Sequence, residues 1–218
     1  MHQVPGRCRP KAKRDSEQST VSELTPDVLV AAYAQGYFPM DYDGEILWFS
    51  PDPRAILPLE SFHAAKTLLQ TCRNAGFEIR LDTSFEEVMR ECGRRPGDTW
   101  ISEEMIAAYV ELHRLGLAHS VEAWKERKLA GGLYGVALGG AFFGESMFHR
   151  VRDASKVALV ALVERMQERG FMLLDIQWVT PHLRRFGAIE ISRQQYLRRL
   201  ALALRRRCSF MDPVMEER

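Results

Sequence analysis

The sequence lacks the cysteine and histidine spacings that bind metals or build disulfide frameworks. Its four cysteines, Cys8, Cys72, Cys92 and Cys208, are widely scattered and form no CxxC pair. Its six histidines show no HExxH spacing. Scattered cysteines in a chain of 218 residues are typical of reduced, inert thiols. We therefore expect no metal site and no disulfide framework.

Nucleotide-binding loops and membrane-spanning runs are also missing from the sequence. No GxxxxGK[ST] motif is present, so ATP is not implied. The longest nearly uncharged run, Leu129–Gly144, is interrupted by six glycines and is shorter than the ~20 apolar residues that span a bilayer. No apolar signal core follows the basic amino terminus. We expect a cytoplasmic protein without membrane contacts.

Positive charge is concentrated in two regions, although the net charge is only +1. One is an arm within residues 1–23, which lacks hydrophobic periodicity and is expected to be disordered. The other lies near the carboxyl end and includes Arg184, Arg185, Arg193, Arg198, Arg199 and residues 205–207. Such clusters can bind a phosphate backbone. The alternative is a solvated helix face and a disordered tail.

The first half of the chain predicts helices separated by an irregular segment. Thr25 and Pro26 predict the start of a short helix, and further helices are expected from residue 63, from Ser84 and from Ser102. The sequence SFEE at Ser84 is typical of a capping box. Four prolines within residues 37–59 predict a fixed loop rather than regular structure.

The second half changes to the two-residue period of strands. Three hairpin-linked strands are predicted, followed in turn by a helix, a buried strand, a short helix, a strand and a last helix: 118–124, 129–138, 141–148, 153–169, 171–178, 181–186, 188–191 and 192–207. This order predicts a mixed α/β fold in layers, resembling the GNAT type of acyltransferase. We expect a disordered arm at 1–23, a small amino-terminal subdomain at 24–60 and a GNAT-like catalytic domain at 61–210.

Glu145 interrupts the otherwise apolar run AFFGESMF. Side-chain alternation predicts that Phe143 and Met147 share its face. With Phe142 nearby, this pattern indicates an apolar cup with one negative group, suited to the ammonium and side chain of an amino acid. The alternative is a glutamate at a strand end that reaches solvent or pairs with Arg150.

Asp175 and Gln177 share one face of the run LLDIQW, with Leu174, Ile176 and Trp178 opposite. An unsatisfied buried polar group costs roughly 1–3 kcal/mol, so both need partners or a function. They could satisfy backbone groups where two strands separate. We favour a position at a reaction cleft, which central strands border in acyl-transfer folds.

Large apolar residues form a second candidate set. Those considered for a substrate pocket are Leu133, Phe142, Met147, Leu159, Leu162, Met166 and Leu174. Adaptable methionine side chains suit a pocket that accepts several apolar shapes. The same residues also fill ordinary cores, which composition alone favours.

Trp48 and Arg54 lie in the proline-rich segment. An aromatic ring and a guanidinium there could stack on a base and hold a phosphate. Alternatively, Trp48 packs against the domain and holds the segment in place.

Coenzyme A is disfavoured as an acyl donor. Users of the GNAT type need a glycine-containing loop, R/Q-x-x-G-x-G/A, whose backbone N–H groups bind pyrophosphate. The corresponding junction at residues 149–156 reads HRVRDASK and contains no glycine. The acyl group is therefore expected to arrive activated by another carrier.

Several blocks, in order between about Val28 and Leu200, resemble the leucyl/phenylalanyl-tRNA–protein transferase family. They are AYAQGYFP (32–39), ILWFSPDPRAIL (46–57), FH (62–63), TWIS (99–102), AHSVEAW (118–124), GGLYGVALGGAFFGESMF (131–148), ASK (154–156) and LLDIQWVTPHLRRFGAIEI (173–191). The resemblance implies a cytoplasmic, monomeric enzyme without a cofactor. Its donors would be Leu-tRNA and Phe-tRNA, and its acceptors proteins with an amino-terminal Arg or Lys.

The resemblance also implies residue roles. Positions matching Asp175 and Gln177 are the family's proposed catalytic pair, the position matching Glu145 lies in the active site, and those matching Leu133, Met147 and Leu159 line the aminoacyl pocket. Met40 stands where many members have a tryptophan that stacks on the terminal adenosine. Another aromatic residue, such as Trp48 or Trp100, is then expected to replace it.

The substrates determine the chemistry that we expect. An aminoacyl ester is already activated, and the attacking α-amine has an unperturbed pKa of roughly 7.7–8.0. Our hypothesis is that Asp175 orients and polarises Gln177, whose carbonyl oxygen accepts a hydrogen bond from the amine. The alternative is substrate-assisted proton transfer through the ribose hydroxyl. Lys66 and Arg73 are expected to contact the acceptor stem. The alternative functions are a coenzyme A-dependent N-acetyltransferase and a non-catalytic RNA-binding protein.

Overall fold

A computed structural model of the protein describes residues 24–94 and 99–212. The predicted basic arm at residues 1–23, including Cys8, lies outside the described residues. Among the helices described, none is both long and apolar enough to cross a membrane.

The amino-terminal segment begins with helix α1, Pro26–Ala34, capped by the Thr25 side chain. Strands β1, Phe38–Tyr42, and β2, Glu45–Phe49, pair as an antiparallel hairpin, and β3 is Arg54–Ile56. The expected loop without regular structure is therefore wrong. Its prolines lie in a strand of a two-stranded sheet or between strands, where no ladder hydrogen bond is lost.

The main sheet has seven strands in the order β4-β5-β6-β7-β8-β3-β9. Its other members are β4 Glu78–Leu81, β5 Ala118–Lys125, β6 Lys128–Leu138, β7 Ala141–His149, β8 Leu173–Gln177 and β9 Ile189–Ile191. The predicted antiparallel hairpins β5-β6-β7 are confirmed. Although β3 belongs to the segment before residue 60, it pairs with β8 and β9. The division of the chain at residue 60 stays a prediction.

Helices cover both faces of this sheet. They are α2 Lys66–Asn74, α3 Phe85–Gly93, α4 Glu103–Arg114, α5 Ala154–Glu168, α6 Pro181–Arg184 and α7 Arg193–Leu204. One core cluster contains buried residues of α1, α3, α4 and α7, and a second contains those of α2 and α5. The predicted mixed α/β fold in layers is confirmed.

The predicted caps of two helices have different outcomes. Ser102 accepts a hydrogen bond from the Met105 N–H and caps α4 as expected. Before α3, the Ser84 side chain makes no capping bond to the described residues of the helix. The Ser84 N–H instead donates to the buried Glu122 carboxylate, at 2.8 Å. The capping box predicted at Ser84 is therefore wrong.

Strands β7 and β8 separate part-way along their length. They pair in parallel only from Ala141 and Leu173 to Phe143 and Asp175. Just beyond this point, a bulge places Glu145 as an extra residue in β7, opposite β6. A bulge bends its strand and ends regular pairing, so the sheet opens at this point.

The bulge also changes which residues share a face. Phe143 packs in the cluster under α1 and α4, whereas Met147 packs in the cluster under α5. The prediction that Phe143, Glu145 and Met147 lie on one face is therefore wrong for Met147, because the extra residue reverses the alternation.

Candidate active site

The opening between β7 and β8 forms a cavity of about 520 Å³. This volume is typical of pockets that enclose small ligands. Apolar residues from β6, β7, α5 and β8 dominate its lining: Leu133, Met147, Leu159, Leu162, Leu174 and Ile176. The cavity therefore suits an apolar side chain.

Five of the seven predicted pocket residues line this cavity, and Phe142 and Met166 do not. Both are fully buried in the core beneath it. The Phe142 ring packs 5.3 Å from that of Phe210, measured between centroids. The sequence showed these residues to be apolar but not how deeply they would be buried.

Nine lining residues were not predicted for this site, among them Ile176, Trp178 and Leu183. Trp178 was expected on the far side of its strand from Gln177. Instead, Gln177 has φ +56°, and the Trp178 N–H donates to the Ile176 carbonyl at 2.6 Å. This γ-turn redirects the chain, and Trp178 packs edge-on against Phe38, with 5.1 Å between centroids.

Glu145 lies in the cavity wall, partly covered by protein. Loss of water around its carboxyl raises its pKa to about 8, and the charge of Asp175 contributes in the same direction. A hydrogen bond from Tyr33 and the charge of Arg54 oppose this rise. Glu145 is therefore mostly neutral at pH 7, with a small ionised fraction.

Two buried tyrosines support Glu145 from behind. The Tyr33 hydroxyl donates to Glu145 Oε1 at 2.7 Å and is also hydrogen-bonded to the Tyr109 hydroxyl. Burial and the nearby carboxyl raise the pKa of Tyr33 well above its usual value, so it remains a donor. α1 and α4 supply these two tyrosines, which sequence reasoning missed.

Gln177 lies opposite Glu145 and is almost fully buried. Its Nε2 donates to Glu145 Oε1 at 3.4 Å. Because the amide nitrogen faces Glu145, the amide oxygen is left for another donor. The two side chains thus form one polar pair in a cavity lined mainly by apolar residues.

Asp175 is fully buried and does not line the cavity. Its Oδ1 accepts from Arg54 Nε at 2.9 Å and from the Gln177 backbone N–H at 3.0 Å. Its Oδ2 accepts from Arg54 Nη2 at 2.6 Å and from the Tyr196 hydroxyl at 2.7 Å. Asp175 therefore contacts Gln177 through the Gln177 backbone N–H, and its role in orienting and polarising the carboxamide stays a prediction.

Arg54 is fully buried, which contradicts the prediction that it holds an RNA phosphate. It begins β3, which lies between β8 and β9, so its side chain enters the core rather than solvent. Burial alone would lower the pKa of Arg54, but the Asp175 carboxylate outweighs this effect and raises it. Arg54 also donates to the Gly36 carbonyl at 3.0 Å.

The residues predicted to stack on the nucleotide take different positions relative to the cavity. Met40 and Trp100 line the cavity, and the Asp41 N–H donates to the Trp100 carbonyl at 3.2 Å. Trp48 pairs with Pro39 on the opposite face of the β1-β2 hairpin and does not line the cavity. Trp100 is therefore the better placed of the two tryptophans to replace the one missing at Met40.

Lys66 and Arg73 are exposed on α2, so both are accessible to RNA. Within residues 24–94 and 99–212, no three His, Cys, Asp or Glu side chains are grouped to hold a metal ion.

Comparisons with known proteins agree with this geometry. A family model described as leucyl/phenylalanyl-tRNA protein transferase matches residues 56–201, and the model of that family's amino-terminal domain matches residues 22–52. The chain belongs to this family.

Named relatives in the family match nearly their whole length. The leucyl/phenylalanyl-tRNA–protein transferase of Herpetosiphon aurantiacus is 56% identical over 188 residues, which are 86% of this chain and 98% of the relative. That of Paramagnetospirillum magneticum is 57% identical over 187 residues, 83% of this chain and 90% of the relative. A solved GCN5-related N-acetyltransferase of Sphaerobacter thermophilus is 15% identical, with a TM-score of 0.37, over 76% of this chain and 53% of that one. Membership of the transferase family makes the protein an aminoacyltransferase.

Proposed function

We propose that the protein transfers Leu or Phe, and Met less well, from aminoacyl-tRNA to an amino-terminal Arg or Lys of other proteins, marking them for N-degron degradation. The observation that carries the proposal is an apolar cavity whose wall holds the Glu145–Gln177 pair, in a chain of this family. We propose that it acts in the cytoplasm as a monomer.

The cavity accounts for the proposed donor preference. Its apolar wall accepts Leu, Phe or Met by volume and shape, because one methylene changes binding by only roughly 1–3 kcal/mol. Leu133 and Met147 face each other across β6 and β7, and Leu159 from α5 lines the same cavity. We assign the aminoacyl side chain to this region and the adenosine to the mouth near Trp100.

Among the described residues that line the cavity, Glu145 is the only one with an acidic side chain. We assign it to the incoming amine. Its pKa of about 8 matches the roughly 7.7–8.0 of an α-ammonium, so proton transfer between them is nearly balanced. The ionised carboxylate takes one ammonium proton, and the free amine attacks the ester carbonyl carbon.

The remaining steps conserve atoms and charge. A C–N bond forms and the C–O bond to the ribose breaks, while protonated Glu145 gives its proton to the leaving oxygen. The regenerated carboxylate then takes the second proton from the attacking nitrogen and releases it to solvent, so the amide nitrogen keeps one hydrogen. Gln177 positions the amine through its amide oxygen, and Asp175 acts as a positioning residue by holding the Gln177 backbone. Alignment of amine and ester supplies much of the rate enhancement, since positioning can be worth roughly 7–11 kcal/mol.

The test combines labelled Phe-tRNA or Leu-tRNA with a peptide that begins with Arg. We expect extended peptide in both cases, and much less with Val-tRNA. The same peptide with an acetylated amino terminus is the matched acceptor control, because it keeps the arginine side chain but has no nucleophile. Failure to extend the free peptide with either donor would refute the proposal.

A further inference from the structure

A second cavity lies next to the aminoacyl cavity. It has a volume of about 490 Å³ and is lined by residues of α2, the start of α5 and the region of α6. His182 lines both cavities. The two cavities therefore adjoin at this side chain.

The second cavity carries an excess of positive charge. Arg152, Lys156 and Arg185 line it, against the single carboxylate of Asp153. Lys156 Nζ donates to Asp153 Oδ1 at 2.6 Å, and Arg152 Nε lies 3.5 Å from Asp153 Oδ2. One carboxylate cannot neutralise three cations, so the cavity favours an anion.

The lowered pKa of His182 agrees with the excess of positive charge around the second cavity. Burial lowers its pKa, and the charges of Lys156 and Arg185 lower it further. Asp153 acts in the opposite direction but does not compensate. The imidazole at the junction is therefore neutral at pH 7 and does not add to the anion-binding charge.

We propose that the second cavity binds the phosphodiester groups of the donor's 3′-terminal nucleotides, while the aminoacyl adenosine occupies the first cavity. The inference rests on the proposed function, because only an aminoacyl-RNA donor would place phosphates beside the aminoacyl group. Contacts with the backbone of a single strand position it without reading its sequence.

The transfer experiment compares two donors that differ in phosphate content. Phe-adenosine has no phosphate, whereas the Phe-CCA trinucleotide has internucleotide phosphates. The quantity measured is the ratio of kcat/KM for Phe-CCA to that for Phe-adenosine. In the Lys156→Gln/Arg185→Gln variant we expect this ratio to fall by about tenfold, since two exposed charge contacts are lost.

The matched control is Arg114→Gln, which removes an exposed arginine from α4 on the other side of the sheet. In this control we expect the wild-type ratio. A ratio that stays the same in the double variant, or that falls equally in the control, would overturn the inference.

A binding experiment separates this inference from the transfer reaction. Calorimetry at several salt concentrations measures the affinity of the protein for the CCA trinucleotide without an attached amino acid. The double variant is expected to bind CCA more weakly, with a log–log salt slope smaller by about 1.4, the value for two single-strand phosphates. An unchanged slope would refute the phosphate contacts even if transfer occurs.

Coenzyme A is the alternative source of phosphate, and titration with it completes the experiment. Weaker binding of coenzyme A than of CCA by the wild type supports the RNA assignment, whereas tight binding of coenzyme A that the double variant loses would overturn it. If the wild type binds CCA but extends no peptide from either donor, the proposed function fails and the phosphate site does not.

Discussion

Arg54 and Asp175 form a fully buried ion pair with two contacts, Nε to Oδ1 at 2.9 Å and Nη2 to Oδ2 at 2.6 Å. Their side chains are separated by 121 residues in sequence. The pair joins β3 to β8 directly behind the candidate active site and fixes the point at which the Gln177 backbone turns.

Loss of Arg54 leaves Asp175 buried without its cation. We predict that Arg54→Met lowers the free energy of unfolding by about 3–5 kcal/mol, because an uncompensated buried charge is costly. Urea unfolding measures the change. The exposed Arg114→Gln substitution is the control, with an expected change within about 0.5 kcal/mol. A loss below about 1 kcal/mol for Arg54→Met would contradict the importance of the buried pair.

Glu145→Gln tests the proton transfer. We predict a decrease in kcat/KM of about 10²–10⁴-fold, the usual contribution of a positioned acid or base. In the wild type, kcat/KM should rise with pH through about 8, because both Glu145 and the acceptor amine lose protons there. Initial rates from pH 6 to 9, corrected for ester hydrolysis, measure this profile.

The exposed substitution Glu104→Gln serves as the control for Glu145→Gln and should keep both the rate and its pH dependence. A Glu145→Gln enzyme with wild-type kcat/KM would remove Glu145 from the mechanism.

Tyr33→Phe removes the hydrogen bond that lowers the pKa of Glu145. Without it the neutral carboxyl is favoured further, so we predict that the rise in kcat/KM moves to higher pH. The same pH profile measures the shift. Tyr42→Phe, at an exposed tyrosine, should leave the profile in place. A shift to lower pH in Tyr33→Phe would show that Tyr33 does not stabilise the carboxylate.

Structural features that depend on residues close together in the sequence could be predicted. The hairpins β5-β6-β7 follow from local alternation and tight turns. β3 was missed because it has three residues and gains its order from β8 and β9, which lie far away in sequence. A short segment rich in proline gives no local sign of such pairing.

In the candidate active site too, the features set by residues close in sequence could be predicted, and those set by residues on distant strands could not. Glu145 and Gln177 were found because polar residues in apolar runs need partners or a function. The buried position of Arg54 was missed because an arginine beside prolines resembles a surface group, and its partner lies on a distant strand. The bulge at Glu145 was equally invisible, since it depends on the register with β6.

Met147→Ala enlarges the aminoacyl cavity at a lining residue. We predict that the ratio of kcat/KM for Phe-tRNA to that for Leu-tRNA rises by about tenfold, because added space favours the larger side chain. Met166→Ala is the matched control, since Met166 is buried outside the cavity. The ratio is independent of the folded fraction, so loss of stability does not confuse the comparison. Equal ratios of kcat/KM for Phe-tRNA to Leu-tRNA in the two variants would refute the assignment of Met147 to the wall that contacts the aminoacyl side chain.

Gln177 occupies a backbone conformation that favours glycine, with φ +56°. Non-glycine residues pay roughly 1–2 kcal/mol in this region. We predict that Gln177→Gly is more stable than Gln177→Ala by about 1 kcal/mol, as measured by urea unfolding, because only alanine keeps the Cβ that causes the strain. Both variants lose the carboxamide, so both should lose transfer activity to a similar extent. If alanine proves the more stable replacement, the turn is not strained; if either variant transfers at the wild-type rate, the carboxamide does not position the amine.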